Sequence, residues 1–513
     1  MTAIGDVMKT RRSPLGALAM AVLAVALGAS VLAFGKMALV GLIGFLAFCV
    51  FVWYPVLGVY ATTVLLLLSG SAGVIGPGGI NVAVPLTAAK LCGAAALVAW
   101  LTNLVARGLR WHVGWAAILL GAFLLWSAVG VLFSPTRGAQ YPEWIRLGTF
   151  AAFFVMVVDV LLNAPDPRRA IRTYALIILV CGLLSAASAV AQYFMPSTYL
   201  ETFEERAAFQ HVGGPIVDTE SLEGVSAIRV SGRALHSNWL ALLLLCVLPL
   251  NAYWFTASKT WQGKLLVGLA VLVELAALVL TFTRTGLLVG VVLLMLVTAK
   301  RLARATPYRF VAMALAVVVG WTVLPGAYKQ RVLSLGQYTS SKSIEARAGL
   351  QGAAYGCMLE HPVKGVGLGG FGLHFVRERG VVAETMRLVV NEFNWNPLFV
   401  GVHNLYLQIG CETGVVGLAL FLTFFVVMMR NLHLAEQRFK ATEQPEWRSL
   451  AGSLQVSLVA FLLCGIFLHA LQQKIWWIVA AGAVALSMYT VALSSDETGV
   501  AHSETKTEEA EAT

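Results

Sequence analysis

The stretch GVHNLYLQIGCETGVVGLALFL, residues 401–422, sets a histidine, an asparagine and a glutamate at the mouth of an apolar run. Ionisable groups are costly inside a bilayer and tend to sit there for a reason. An imidazole with a pKa near 6.5 can accept a proton at ambient pH, so His403 is a candidate general base. If the stretch is one helix turning about 100° per residue, Leu407, Gly410, Gly414 and Gly417 fall near the His403 side. Small residues at that spacing let another helix approach closely. Glu412 then lies roughly opposite, beside Gln408 and about 13 Å further along, and reads as a buried polar contact. Arginine supplies the second ingredient. TFTRTG puts Arg284 between two apolar runs with almost no connector, and AIRVSGRALHSNWLA puts Arg229, Arg233 and His236 just before another. Guanidinium groups bind phosphate oxygens in pairs. His403, Arg284 and Arg229 on one surface would therefore suit a lipid that carries a diphosphate.

Two other patterns carry less. GVGLGG, residues 365–370, has the letters of a dinucleotide-binding fingerprint, but that fingerprint has meaning only after a strand in a βαβ unit. Here a helical pattern and a proline precede it, so Gly365, Gly367 and Gly369 are expected to have a structural role in a turn that folds the chain back onto the membrane. Of the seven cysteines, six lie in or at the edge of apolar runs and none forms a CxxC pair, which leaves neither a disulfide framework nor a cysteine metal site. The outer loops lack a carboxylate pair at an evident ligand spacing, so neither a metal nor a cofactor is expected.

The elements that must position these residues are membrane helices. The chain has 513 residues, 58% hydrophobic and 12% charged, where a soluble domain is nearer a quarter charged. A crossing needs about 20 mostly apolar residues. About fourteen apolar runs lie near 15–34, 37–52, 54–70, 85–104, 114–133, 146–163, 172–193, 237–257, 265–283, 285–300, 309–325, 404–429, 453–470 and 475–493. The fold class is thus an all-α polytopic membrane protein with about 12–14 transmembrane helices. Lys9, Arg11 and Arg12 precede the first run, which reads as an uncleaved span. The net charge of +10 suits anionic lipid and loop orientation better than nucleic acid.

Lys and Arg mark cytoplasmic loops. With the N-terminus inside and the runs alternating, Arg107/Arg110, DPRRAIR, Lys259/Lys264, KRLARATPYR and RNLHLAEQRFK all fall inside. This divides the chain into N-terminal helices 1–193, an outer loop 194–236, central helices 237–325, a long outer loop 326–403, C-terminal helices 404–493 and an acidic, disordered cytoplasmic tail 494–513. Within the long loop, SIEARAGLQGAAYGCMLEHP predicts a helix that ends at Glu360-His361 before Pro362.

RVSGRALHSNWLA, TFTRTG, RAGLQGAAYGCMLEHPVKGVGLGGFG and HNLYLQIGCETGVVGLALFL follow one another in an order that resembles the O-antigen ligase and O-antigen polymerase superfamily, over roughly residues 225–430. The resemblance implies a GT-C-like, metal-independent, inverting glycosyltransferase of the bacterial inner membrane. It would work at the periplasmic face on an undecaprenyl-diphosphate-linked saccharide. Arg229 and Arg284 would hold the diphosphate, and His403 would take the proton of the acceptor hydroxyl. Arg233, Arg347, His361 and Asn404 would contact substrate, and Glu412 would pack or orient below them. The acceptor is either another lipid-linked glycan or a lipid A-core sugar; the long outer loop tilts the choice toward a polymerase. Other polysaccharide-assembly proteins are expected partners, besides the bilayer. A lipid-linked oligosaccharide flippase is the alternative, and an assembly scaffold a third, but a transporter calls for ionisable groups at mid-membrane in both halves. The first seven runs are almost free of them, leaving Glu274 and Glu412.

Overall fold

A computed structural model describes residues 36–68, 88–108, 114–195, 230–234, 236–302, 342–378 and 401–491, with a few shorter pieces between 221 and 329. The runs near 15–34 and 309–325, the 494–513 tail and Arg229 lie outside the described residues.

The described chain is helical apart from a two-residue antiparallel pairing of Ser221–Leu222 with Val225–Ser226. Its helices are α1 Lys36–Trp53, α2 Pro55–Leu68, α3 Ala88–Ala106, α4 Trp115–Leu132, α5 Arg137–Leu162, α6 Pro167–Phe194, α7 Ser237–Val247, α8 Leu250–Ala257, α9 Trp261–Leu280, α10 Arg284–Leu302, α11 Lys342–Glu360, α12 Phe371–Glu378, α13 Leu405–Ala441, α14 Pro445–Gly465 and α15 Lys474–Val491. Among the described residues, nine helices are long and apolar enough to cross a membrane, α7 and α8 counting as one, and three shorter apolar helices accompany them. The chain is a multi-pass membrane protein.

Two compact units divide it. In the first, α1 packs on α3, and Asn103 donates from Nδ2 to the Val52 carbonyl at 3.1 Å. The second unit holds everything from α4 onward. There α13 packs against α4 and α14, and α7, α8 and α10 also lie on α14. Aromatic rings fill the space: Phe421, Phe424, Phe425, Phe461 and Trp476 have ring centroids 5.0–6.5 Å apart. Each such pair adds about 0.5–1.5 kcal/mol to the burial of its area. Phe123 of α4 and Phe154 of α5 join the same cluster.

Two expectations about the C-terminal runs are corrected. First, residues 403–422 are not one straight helix, because α13 breaks at Gly414 (φ 69°, ψ −177°). Only the first segment, 405–413, follows His403, and residues 415–441 alone span about 40 Å, more than a hydrocarbon core of about 30 Å. The side shared by His403 and Gly417 on an unbroken wheel therefore does not exist. Glycine is needed at the break because a Cβ there would run into the Val363 carbonyl. Second, the run near 453–470 ends as helix at Gly465, and residues 466–473 form a turn. Leu468, Ala470 and Leu471 stay buried in that turn, so their hydropathy imitates a helix.

Candidate functional site

The first segment of α13 is tied down at its start. Asn404 is the N-cap, its Oδ1 accepting from the amides of Tyr406 and Leu407 at 3.0 Å each. The Tyr406 hydroxyl donates to the Leu462 carbonyl at 2.7 Å, and Leu405 lies against Gly465 so closely that a side chain at 465 would collide with it. These contacts fix the end of α14 beside the start of α13. The turn that follows α14 is held from the other side: Trp476 and Trp477 both donate their indole N–H to the Leu471 carbonyl, at 2.8 and 3.1 Å. Gln472 donates to Glu143 of α5, which also pairs with Arg146 at 2.5 Å.

Between these anchors sit two imidazoles. His403 and His469 meet edge to face with ring centroids 5.1 Å apart. Trp239 of α7 stacks edge-on against His469 at 5.4 Å and lies 6.3 Å from His236, whose Nδ1 caps α7 by accepting from the Asn238 amide at 3.1 Å. The Nδ1 atoms of His403 and His469 are buried without a hydrogen-bond partner. A buried polar atom left so is costly and calls for an explanation. His403 also has φ 55°. Left-handed backbone is uncommon outside glycine, although histidine is enriched there, and such strain clusters at functional sites.

Burial, followed by the charges of His469, Arg347 and His236, holds the His403 imidazole down at about 3. Burial, then His236 and Arg347, holds His469 at about 4. Both rings are neutral at ambient pH, with a lone pair to offer. Arg347 reaches this place because α11 lies alongside the first segment of α13. Gln351 donates to the His403 carbonyl at 3.5 Å near one end, and the Val415 amide donates to the Pro362 carbonyl at 2.7 Å at the other. Ala353, Ala354, Cys357, Phe371, Phe375, Val402 and Cys411 form a small core beneath.

The glycine stretch closes this substructure. Gly365, Gly367 and Gly369 have φ of 65°, 91° and 72°, and the amides of Val366 and Gly367 donate to the carbonyls of Cys411 and Glu412 at 2.9 Å. A Cβ at Gly365 would strike the Glu412 backbone, and one at Gly367 the Gln140 side chain. Glu412, 3% exposed, takes hydrogen bonds at its carboxyl group from the amides of Gly369 and Phe371 and from Gln408. It is the clamp of this turn.

Other residues singled out in the sequence fall as follows. Arg284 is half-buried at the first position of α10, after Thr283, whose hydroxyl accepts from the Gly286 amide at 3.2 Å. Two residues before it, the buried Phe282 has φ 50°. Arg233 is exposed and donates to the Leu68 carbonyl at 3.3 Å. The Val230 amide reaches the Leu280 carbonyl at 3.3 Å, which sets the segment before α7 beside the loop before Arg284. His361 lies at the far end of α11 from Arg347, about 20 Å away along the helix, and so apart from His403. Its neighbour is His374, with ring centroids 5.5 Å apart. His469 was missed because it lay inside an apolar run; the polar cluster Gln472, Gln473 and Lys474 just after it is the signal that marks the turn.

A neutral base, a second imidazole, an aromatic ring and a guanidinium at one mouth of a helical bundle can bind a polar group and take its proton. No curated protein matches the chain. Residues 267–422, which contain Arg284, α11, the glycine turn and His403, match the family described as Wzy_C, O-Antigen ligase. This match covers about a third of the chain and supports the resemblance to the O-antigen ligase and polymerase superfamily through that region.

Proposed function

We propose that the protein transfers a glycan from undecaprenyl diphosphate to a sugar hydroxyl at the periplasmic face of a bacterial inner membrane, with His403 as general base. The observation that carries this is the buried, unpartnered Nδ1 of a neutral His403 on a strained residue at the mouth of α13. The acceptor hydroxyl gives its proton to His403 while its oxygen attacks the anomeric carbon. The bond from that carbon to the diphosphate oxygen breaks, and the electron pair leaves with the lipid diphosphate. A single displacement inverts the anomeric centre. Arg284, Arg229 and Arg347 stabilise the developing charge and supply what a metal supplies elsewhere. An imidazole held near 3 is a weak base in the free protein. A bound diphosphate counters the Arg347 charge that helps to depress it and raises it toward the working pH, which couples donor binding to activation.

Of the two acceptors, a second lipid-linked repeat is favoured, with lipid A-core as the other; the long segment between α10 and α13 gives a growing glycan room outside the bilayer. The test is reconstitution in liposomes with a short undecaprenyl-diphosphate-linked repeat, with and without lipid A-core, and products resolved by mass. Longer lipid-linked chains without core are expected. Transfer only in the presence of core would assign a ligase, and undiminished transfer by His403→Ala would overturn the mechanism.

A further inference from the structure

A second group of ionisable side chains lies outside the His403 cluster. Glu360 closes α11, His361 follows it, and His374 sits in the middle of α12. One ligand atom from each lies within 4.8 Å of the other two, and His374 Nε2 is 3.8 Å from a Glu360 carboxylate oxygen. We propose that these three residues bind a zinc ion that staples the end of α11 to α12.

The ligand chemistry selects the metal class. Two imidazoles with one carboxylate suit a borderline divalent cation, whereas magnesium and calcium prefer oxygen alone. Zinc bonds of about 2.0–2.2 Å in a tetrahedron place ligand atoms roughly 3.4 Å apart. The Glu360–His374 pair must close by about half an ångström and no pair by more than about 1.5 Å. Side-chain torsions can supply this, because Glu360 and His361 are exposed at the surface. A bare ion pair at this spacing and exposure would contribute little.

The backbone that carries the ligands is already fixed. The His361 amide donates to the Cys357 carbonyl and the His374 amide to the Gly370 carbonyl, at 3.0 Å each. The Gly365 amide returns to the His361 carbonyl at 3.1 Å. The glycine turn between the two arms is bonded to Cys411 and Glu412, and Phe371 and Phe375 anchor α12 in the small core. Zinc would close a frame whose other connections exist and leave its fourth position to water. The site is about 15 Å along α11 from Gln351, which touches His403, so the ion is structural and takes no part in glycosyl transfer.

The test needs no glycan substrate and is independent of the role proposed for His403. Full-length protein in detergent, stripped with EDTA and desalted, is titrated with Zn²⁺ against a chromophoric chelator. One equivalent should bind with a Kd of about 1 μM or tighter, weakened at least about tenfold by His361→Ala or His374→Ala. His403→Ala should bind like the parent. Substituting Co²⁺ should give the strong visible absorption of a four-coordinate ion, a readout that needs no variant at the site and that His403→Ala should retain. Lack of stoichiometric binding, a six-coordinate cobalt spectrum, equal binding by the His361/His374 double variant, or loss of binding in His403→Ala would each overturn the site.

Discussion

The two ends of the helical bundle use polar residues in opposite ways. At the end holding the starts of α6 and α14, cations meet partners. Arg168 donates to the Tyr489 hydroxyl at 2.6 Å and to Gln444 at 3.4 Å, Arg172 lies 5.4 Å from the Trp254 ring centre, and Arg448 lies 3.8 Å from Glu436. At the end holding the starts of α7 and α13, two neutral imidazoles face each other with buried Nδ1 atoms unpartnered. Paired cations mark the first end, and buried neutral imidazoles mark the second. Charge counting sets orientation, because it tracks side chains that stay hydrated or paired. It is blind to a histidine that burial keeps neutral.

The largest effect should come from a matched pair of substitutions at the two ends. His403→Ala removes the proposed base and should lower turnover by about 10²–10⁴, the usual range for a general base. Arg168→Ala, at the paired end, should leave turnover within about twofold. Reconstituted transfer with both variants at equal membrane insertion measures this. A comparable loss in Arg168→Ala would end the division of labour between the two ends.

His469 sharpens the contrast, since it faces His403 but is not assigned the proton. His469→Gln should lower turnover by about ten- to a hundredfold and shift the pH–rate profile, because the ring sets the electrostatic surroundings of His403. A purely structural role would reduce the amount of folded protein and leave the profile of the remainder in place. The profile therefore decides.

The pH dependence of stability separates the ends without a substrate. Both histidines bind protons less readily in the folded protein than in the unfolded chain, at about 3 and about 4 against an ordinary 6.5. Between about pH 6.5 and 4 the unfolded state therefore takes up more protons, and stability falls as pH falls. Above pH 6.5 neither state is protonated, so the stability is fully present and no longer changes with pH through these groups. Detergent-solubilised protein should lose a few degrees of melting temperature between pH 7 and 5, and a His403→Ala/His469→Ala double variant should lose less. Equal losses would show that the rings are not held neutral.

Much of this was legible in the sequence, for identifiable reasons. Twelve of the fourteen apolar runs coincide with described helices, because a hydrocarbon solvent leaves the backbone few alternatives to a helix. The end of α11 at Glu360 follows from the proline two residues on. The break at Gly414 was not legible, since apolar periodicity runs through it and the backbone angles of one residue carry the change. Nor was His469, whose turn is buried among Leu468, Ala470 and Leu471 and shares their hydropathy. The pairing of α11 with the first segment of α13 joins pieces about fifty residues apart, through contacts that no local pattern encodes.

The smallest effect belongs to the paired end. Arg172 is exposed and its guanidinium lies over Trp254. An exposed cation–π contact is worth about 0.5–1 kcal/mol, so Arg172→Ala should cost about that much stability and leave the pH–rate profile where it was. Arg172→Lys should recover part of the loss, since an ammonium also attracts the ring face but lacks the planar stacking of a guanidinium. Chemical denaturation in one fixed detergent, with transfer assayed in parallel, measures both. A stability cost without a change in profile would place Arg172 among the residues that anchor the bundle. A moved profile would mean that its charge reaches the imidazoles across the bundle, and the separation of anchoring from chemistry would fail.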